Sequence, residues 1–338
     1  MIKKILKKIY IESNNSDFDN NHLGTFNFWR LFFYNIISPG RTFNRFKFGQ
    51  LGKNKKKLIK EFNKCEFHTN NDISKEDLRS ALIDLNNVGG CVIKNYFSKD
   101  LIDKFLIENK DLITNIKNFE SENISYKTKI LKLSDTVIKL WLDKNLVNII
   151  KVFLSTKVYA RNYPYMYYTF VPKEINENKI INSKAASAWH VDHSVLFNLH
   201  VLLEDINENE TCMEILPGSH KSLNIASKYS NSVVEKYSAE KIKCFGPKGT
   251  IYMHTGNVVH RLKPVAGKNR LNLHFEFSPG SNILLNSKNL KECLDTDFDI
   301  DKLENSQKEI LKVIFPLTYK KGYDIKNDKI FPTKFLGI

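Results

Sequence analysis

Three residues stand at spacings that could hold a metal ion. In Ala188-Trp-His-Val-Asp-His193 one residue separates His190 from Asp192. If the segment is a strand, both side chains project from one face and Val191 from the other. A second strand could bring His260 to the same point. Two imidazoles and one carboxylate on one side of a metal leave the other side open, a donor set suited to non-haem Fe(II) that must also accept small ligands. The tripeptide alone says little: nine His and 18 Asp in 338 residues yield roughly half an H-x-D by accident. Its context adds to it. Arg270 follows His260 by ten residues, at the head of Arg270-Leu-Asn-Leu-His-Phe-Glu-Phe277, which alternates like a strand. A guanidinium there could grip a carboxylate through two parallel hydrogen bonds, as an anionic cosubstrate would require.

Placing these side chains together calls for a strand-rich core. Beyond residue 157 the apolar period shortens toward two, and strands are predicted over 163–171, 188–192, 195–204, 212–216, 249–254, 257–262 and 270–278. Pro217-Gly218 and Pro247-Lys-Gly249 mark turns between them. Short strands punctuated this way indicate an all-β sandwich or barrel. Ahead of them, Ser74-Lys-Glu-Asp77 reads as a capping box before Leu78, Ala81, Leu82 and Leu85, apolar at helical spacing. A short strand is expected within 89–97, and a second helix after Ser98 with Leu101, Ile102, Phe105 and Leu106 on one side. The chain divides accordingly into a basic N-terminal arm with short helices (1–75), a folded core (76–285) and a C-terminal appendage packed on that core (286–338).

With these residues in place the sequence resembles the phytanoyl-CoA dioxygenase family of Fe(II)/2-oxoglutarate oxygenases. The resemblance rests on Trp189-His-Val-Asp-His193, on Leu202-Leu-Glu-Asp-Ile-Asn-Glu-Asn209 leading into Ile215-Leu-Pro-Gly-Ser-His-Lys221, and on His260 with Arg270, and it spans roughly residues 80–280. It implies a mainly β fold, a double-stranded β-helix (cupin-like jelly roll) with flanking α-helices. It implies that His190, Asp192 and His260 bind Fe(II), that Arg270 pairs with the distal carboxylate of 2-oxoglutarate, and that His200 and Tyr167 line the cosubstrate pocket. The implied reaction is hydroxylation of an unactivated C–H bond of a small organic or lipid-like substrate, with O2 as the other reactant. Leu262 departs from the pattern, since relatives often carry a small polar residue there that contacts the cosubstrate. Asp192 keeps the carboxylate that halogenating relatives lack.

Other polar residues have plainer readings. His193 is expected to line the pocket, His254 and His274 to be structural or to sit at the rim, and His220 to fix the Pro217–Lys221 turn. Trp189 and Tyr163, Tyr165, Tyr167 and Tyr168 suit core packing as well as substrate contact. Two further functional readings stay open: a non-catalytic cupin-type binding protein, membrane-attached or not, and a cupin enzyme that uses another metal without 2-oxoglutarate.

Composition narrows the classes. The formal net charge is +15 and hydrophobic residues are 42% of the chain. The 23 Phe and 14 Tyr are too many rings for a disordered chain. Residues 1–60 hold 13 Lys+Arg against 3 acidic residues, so most of the excess charge lies in the arm. The arm also carries the aromatic segment 26–37, which could pack on the core or lie on an anionic membrane surface. Nucleic acid is disfavoured, because no recognition motif or stacking platform accompanies the charge. The five cysteines are scattered, with no C-x-x-C, which favours a reducing cytoplasm with peripheral membrane contact at most. The N-terminus makes a poor secretory signal, and no stretch reaches the length of a membrane span.

Overall fold

Most of the helices before the jelly roll are started by a side chain that accepts from the free N–H groups of the first turn. In the computed structural model the described residues are 54–68, 73–118, 125–130, 133–161, 163–174, 187–192, 197–221, 228–229, 231–236, 240–279 and 302–311. The basic residues before 54, the aromatic segment 26–37, His193 and Cys293 lie outside them, as do the readings attached to them. Asn54 caps α1 (Lys55–Asn63), and Ser74 and Asp77 form the expected capping box of α2 (Lys75–Val88). Ser98, Ser134 and Asp143 cap α3 (Lys99–Glu108), α5 (Asp135–Trp141) and α6 (Lys144–Leu154), with α4 (Lys110–Lys117) between α3 and α5. Two short helices follow later, α7 (Asn231–Glu235) and α8 (Asn305–Leu311). Among the described residues no helix is long and apolar enough to cross a membrane.

The strands form two antiparallel sheets. The larger runs β1 (Gly90–Ile93), β10 (Ile251–Thr255), β6 (Phe197–Leu202), β12 (Arg270–Pro279), β4 (Tyr165–Thr169), β2 (Ser125–Lys129), and β3 (Val158–Ala160) also pairs with β12. The smaller runs β8 (Lys228–Tyr229), β5 (Trp189–His190), β11 (His260–Lys263), β7 (Cys212–Ile215), β9 (Ile242–Cys244). From β4 to β7, and again from β9 to β12, the chain alternates between the two sheets. That winding is the expected jelly roll: mainly antiparallel sheet, flanked by helices, without closure into a barrel.

Alternation along the central strands explains how both faces of the larger sheet are buried. Phe197, Leu199, Val201, Ile251, Met253, Leu271, Leu273, Phe275 and Phe277 point outward into the core shared with the helices. Leu58 and Phe62 of α1, in the segment read as an arm, are buried in that same core, and so are Ile310 and Leu311 of α8. The opposite face looks toward the smaller sheet. One part of that interior is apolar, with Leu202, Ile206, Met213, Ile215 and Val258 packed around Tyr252. The rest is polar and holds the site.

The Pro217–Lys221 turn ties α2 to the smaller sheet. Gly218 N–H donates to Val88 O at 2.8 Å, and Val259 N–H to Ser219 Oγ at 2.8 Å, one residue before His260. His220 is fully buried and bonds Asn86 O at 3.2 Å through Nε2. It fits only because Gly89, the left-handed C-cap of α2 at φ 88°, has no side chain; a Cβ there would stand 2.6 Å from His220 Nδ1. Burial pushes the His220 imidazole down to about 4. The unfolded chain therefore takes up a proton near pH 6.5 that the folded chain resists until about 4. Stability is full above the unfolded value and falls with pH across that window, by up to about 3 kcal/mol from this one group. In urea melts at pH 7 and 4.5, His220→Gln should lose less stability on acidification than the unchanged chain. An equal loss in both would remove His220 from the account.

Candidate metal centre

The smaller sheet sets the two imidazoles side by side. His190 and His260 are directly paired across β5 and β11, with ring centroids 4.3 Å apart. Behind them Arg261 locks three strands together. Its guanidinium lies 4.4 Å over the Trp189 ring of β5 and 2.8 Å from Glu214 Oε2 of β7. Trp189 is thus packed on the outer side of this sheet, away from the histidines.

Each imidazole is oriented by its own backbone. His190 Nδ1 lies 2.7 Å from Ala188 O, and His260 Nδ1 2.9 Å from Val258 O. A carbonyl only accepts, so each Nδ1 carries the hydrogen and each Nε2 presents a lone pair. Asp192 meets those lone pairs: Oδ1 is 3.9 Å from His190 Nε2 and Oδ2 is 3.6 Å from His260 Nε2. One donor atom from each of the three residues lies within 4.8 Å of the other two, the arrangement of a three-donor metal centre. Burial works against the charge on Asp192, but the positive charge that the His260 and His190 rings carry when protonated outweighs it and holds the carboxyl well below the usual carboxylate range.

The strand expected over 188–192 is shorter than its alternation suggested. Only Trp189 and His190 are in the ladder. The partner strand β11 begins at His260, because Val258 and Val259 are taken up by a turn and by Leu216, so no further rung exists for Asp192. The strand expected from 257 starts at 260 for the same reason.

A second polar layer comes from the larger sheet. Across β10, β6, β12 and β4, Tyr252, His200, His274 and Tyr165 stand in one row, set by register. His200 stacks on Tyr252 at 4.4 Å and on His274 at 4.2 Å, nearly parallel in both cases. His254 packs on His260 at 4.3 Å. Five of the nine histidines therefore gather here. His254 and His274 are buried inside the jelly roll, and the rim location allowed for them is wrong. The physical reason is strand parity, which puts them on the same inward face as His200. Burial drives the imidazoles of His200, His254 and His274 below their ordinary value, so they stay neutral.

Several buried polar atoms in this layer have no partner among the described residues: His200 Nε2, His274 Nδ1, Asn272 Oδ1 and Arg270 Nε. Asn272 Nδ2 donates to His200 Nδ1 at 3.2 Å, which leaves the His200 hydrogen on Nε2. Arg270 is 3% exposed, donates from Nη1 to Tyr252 Oη at 3.3 Å, and has no carboxylate in ion-pair contact among the described residues. A buried guanidinium without an anion is costly unless a ligand supplies one. Tyr167 is on this face too, edge-on to His274 at 5.3 Å. Leu262 is buried on the face of β11 that His260 uses.

Sequence reasoning missed Asn198, Asn272 and Tyr252. Their signal was present in Asn198-Leu-His200 and Asn272-Leu-His274, where a strand buried on both faces alternates polar with apolar residues instead of running apolar throughout.

Comparison with known proteins gives one family. The family model described as phytanoyl-CoA dioxygenase (PhyH) matches residues 85–270. No curated protein matches the chain. Among solved structures, the epimerase SnoN in complex with Fe3+, alpha-ketoglutarate and nogalamycin RO is 14% identical, with a TM-score of 0.48 over 62% of this chain and 86% of that one. EctD from S. alaskensis with 2-oxoglutarate and 5-hydroxyectoine is 16% identical, with a TM-score of 0.48 over 64% and 80%. HygX from Streptomyces hygroscopicus with nickel and 2-oxoglutarate is 15% identical, with a TM-score of 0.44 over 60% and 87%.

Proposed function

Because the chain belongs to the phytanoyl-CoA dioxygenase family, whose members are oxygenases dependent on Fe(II) and 2-oxoglutarate, we propose that it hydroxylates an unactivated C–H bond of a small organic or lipid-like substrate. The observation that carries this reading is a three-donor cluster together with a buried guanidinium that has no carboxylate in ion-pair contact among the described residues.

The residues present fit both groups. His190, Asp192 and His260 offer two imidazole nitrogens and one carboxylate, the donor chemistry of a ferrous site with open positions. Arg270 offers the cation for the distal carboxylate of 2-oxoglutarate, and the unpartnered His200 Nε2–H offers a donor beside it. Tyr167 forms part of the wall of the same pocket. When bound, iron and 2-oxoglutarate supply the oxidative chemistry, in which O2 is consumed, the oxo acid becomes succinate and CO2, and one oxygen atom passes to substrate.

The chain's own part is positional and electrostatic. The carbonyls of Ala188 and Val258 hold both Nε2 lone pairs toward Asp192. Neutral His200, His254 and His274 surround the cluster without adding a competing cation. Arg270 is buried against Tyr252 of the apolar cluster, and burial strengthens the hold of a guanidinium on an anion. Protein reconstituted with Fe(II) under O2 should release succinate from 2-oxoglutarate in step with a substrate that gains one oxygen atom. Product altered without added oxygen would replace hydroxylation by another reaction, and absence of succinate across a wide substrate panel would sink the reading.

A further inference from the structure

We infer that Asn198 is a positioning residue that holds the Asp192 carboxylate for the metal, and that His274 fixes which way the Asn198 amide faces. The inference rests on the metal reading above and adds to it a device that neither family membership nor the three-donor cluster supplies.

The three donors are not held alike. His190 and His260 are each steadied by a carbonyl two residues earlier and by mutual pairing across the smaller sheet. Asp192 stands two residues beyond the end of β5, where no ladder reaches it. A carboxylate there can turn about its own bonds unless something tethers it. Among the described residues the hydrogen bond on its side chain comes from the opposite sheet: Asn198 Nδ2 donates to Asp192 Oδ2 at 2.6 Å. Asn198 is 1% exposed and sits on β6, between β10 and β12, where its backbone is paired on both sides.

An amide holds a carboxylate only if its nitrogen, and not its oxygen, faces it. His274 enforces that orientation. Its Nε2 lies 2.9 Å from Asn198 Oδ1, and an oxygen there only accepts, so the hydrogen is on Nε2. Reversing the amide would set oxygen against carboxylate and two donors against each other. His274 is itself immobilised by the His200 stack at 4.2 Å and by Tyr167 at 5.3 Å. The order Asp192–Asn198–His274 thus runs from a carboxylate outside the ladder to a ring clamped in the larger sheet. Outer partners of this kind change metal affinity 10- to 100-fold in general.

The test uses Mn(II) alone, titrated calorimetrically into the metal-free full chain without 2-oxoglutarate or turnover. Asn198→Ala should weaken Mn(II) binding about 10- to 100-fold. His274→Leu should weaken it less, and adding His274→Leu to Asn198→Ala should cost little more, because both act through one bond chain. His274→Gln, which keeps an N–H donor, should restore most of the loss. Melting of the metal-free variants separates this from general loosening: a structural defect lowers the melting temperature of Leu and Gln variants alike, whereas positioning splits them in affinity. Should Asn198→Ala not fold, the Leu and Gln pair carries the test. Asn198→Ala binding Mn(II) within two-fold of the unchanged chain, or additive losses in the double variant, would overturn the inference. If Asp192→Ala abolishes binding while Asn198→Ala does not, the metal reading survives and only the positioning role fails. If the unchanged chain binds no Mn(II), both fall.

Discussion

Asp192→Ala is expected to weaken Fe(II) or Mn(II) binding at least about 100-fold and to abolish succinate formation, a larger loss than outer partners cause. Of the three donors, Asp192 alone brings negative charge. The rings nearest the cluster in the second layer are neutral by burial, so nothing else described at the cluster offsets a dication. The carboxyl is held well below the usual carboxylate range despite its burial, so it is ionised when the metal arrives. Asp192→Asn keeps the shape and the reach to Asn198 Nδ2 but drops the charge, and it should lose nearly as much. Calorimetric titration of metal-free protein measures both. An Asp192→Ala protein that binds iron as tightly as the unchanged chain would end the ligand assignment.

Arg270→Met should raise the KM for 2-oxoglutarate about 100-fold while leaving Mn(II) affinity unchanged. Two charge-assisted hydrogen bonds to a carboxylate at a buried site are together worth about 3 kcal/mol, and each 1.4 kcal/mol is tenfold. A second expectation has the opposite sign. In the ligand-free protein Arg270 is a buried cation whose Nε has no partner among the described residues and whose described contact is a tyrosine hydroxyl. Replacing it by an apolar chain of similar length removes that penalty, so the ligand-free variant should melt no lower than the unchanged protein. Arg270→Lys keeps charge without the planar fork and should fall between. Steady-state kinetics over 2-oxoglutarate and melting of the metal-free forms decide it. Unchanged KM in Arg270→Met would remove 2-oxoglutarate from this pocket.

What the sequence made legible followed from chemistry and period. His190, Asp192, His260 and Arg270 were visible because their residue types serve few purposes when arranged on alternating strands, and the structure sets the first three within reach of one another. The capping box at Ser74 was visible because its bonds are local. Asn198 was not, because asparagine has many uses and its bond to Asp192 crosses between sheets. The short strands β2, β3, β8 and β9 went unnoticed because their pairing is decided by distant partners: Ser125–Lys129 matches Tyr165–Thr169 and Val158–Ala160 matches the end of β12. Helices α5 and α6 also went unread, although Ser134 and Asp143 stand as caps ahead of apolar runs.

The parity of β6, β10 and β12 has an evolutionary consequence. These strands carry two messages interleaved residue by residue, one addressed to the helices and one to the cavity. Substitution at even-numbered positions such as 198, 200, 272 and 274 rewrites what the cavity recognises and leaves the helix-facing core intact. A one-residue insertion or deletion does the reverse, exchanging the messages and turning His200 and His274 into the oil of the core. Lineages built on this frame should therefore diversify in chemistry by point substitution within the strands, and confine changes of length to the loops between them.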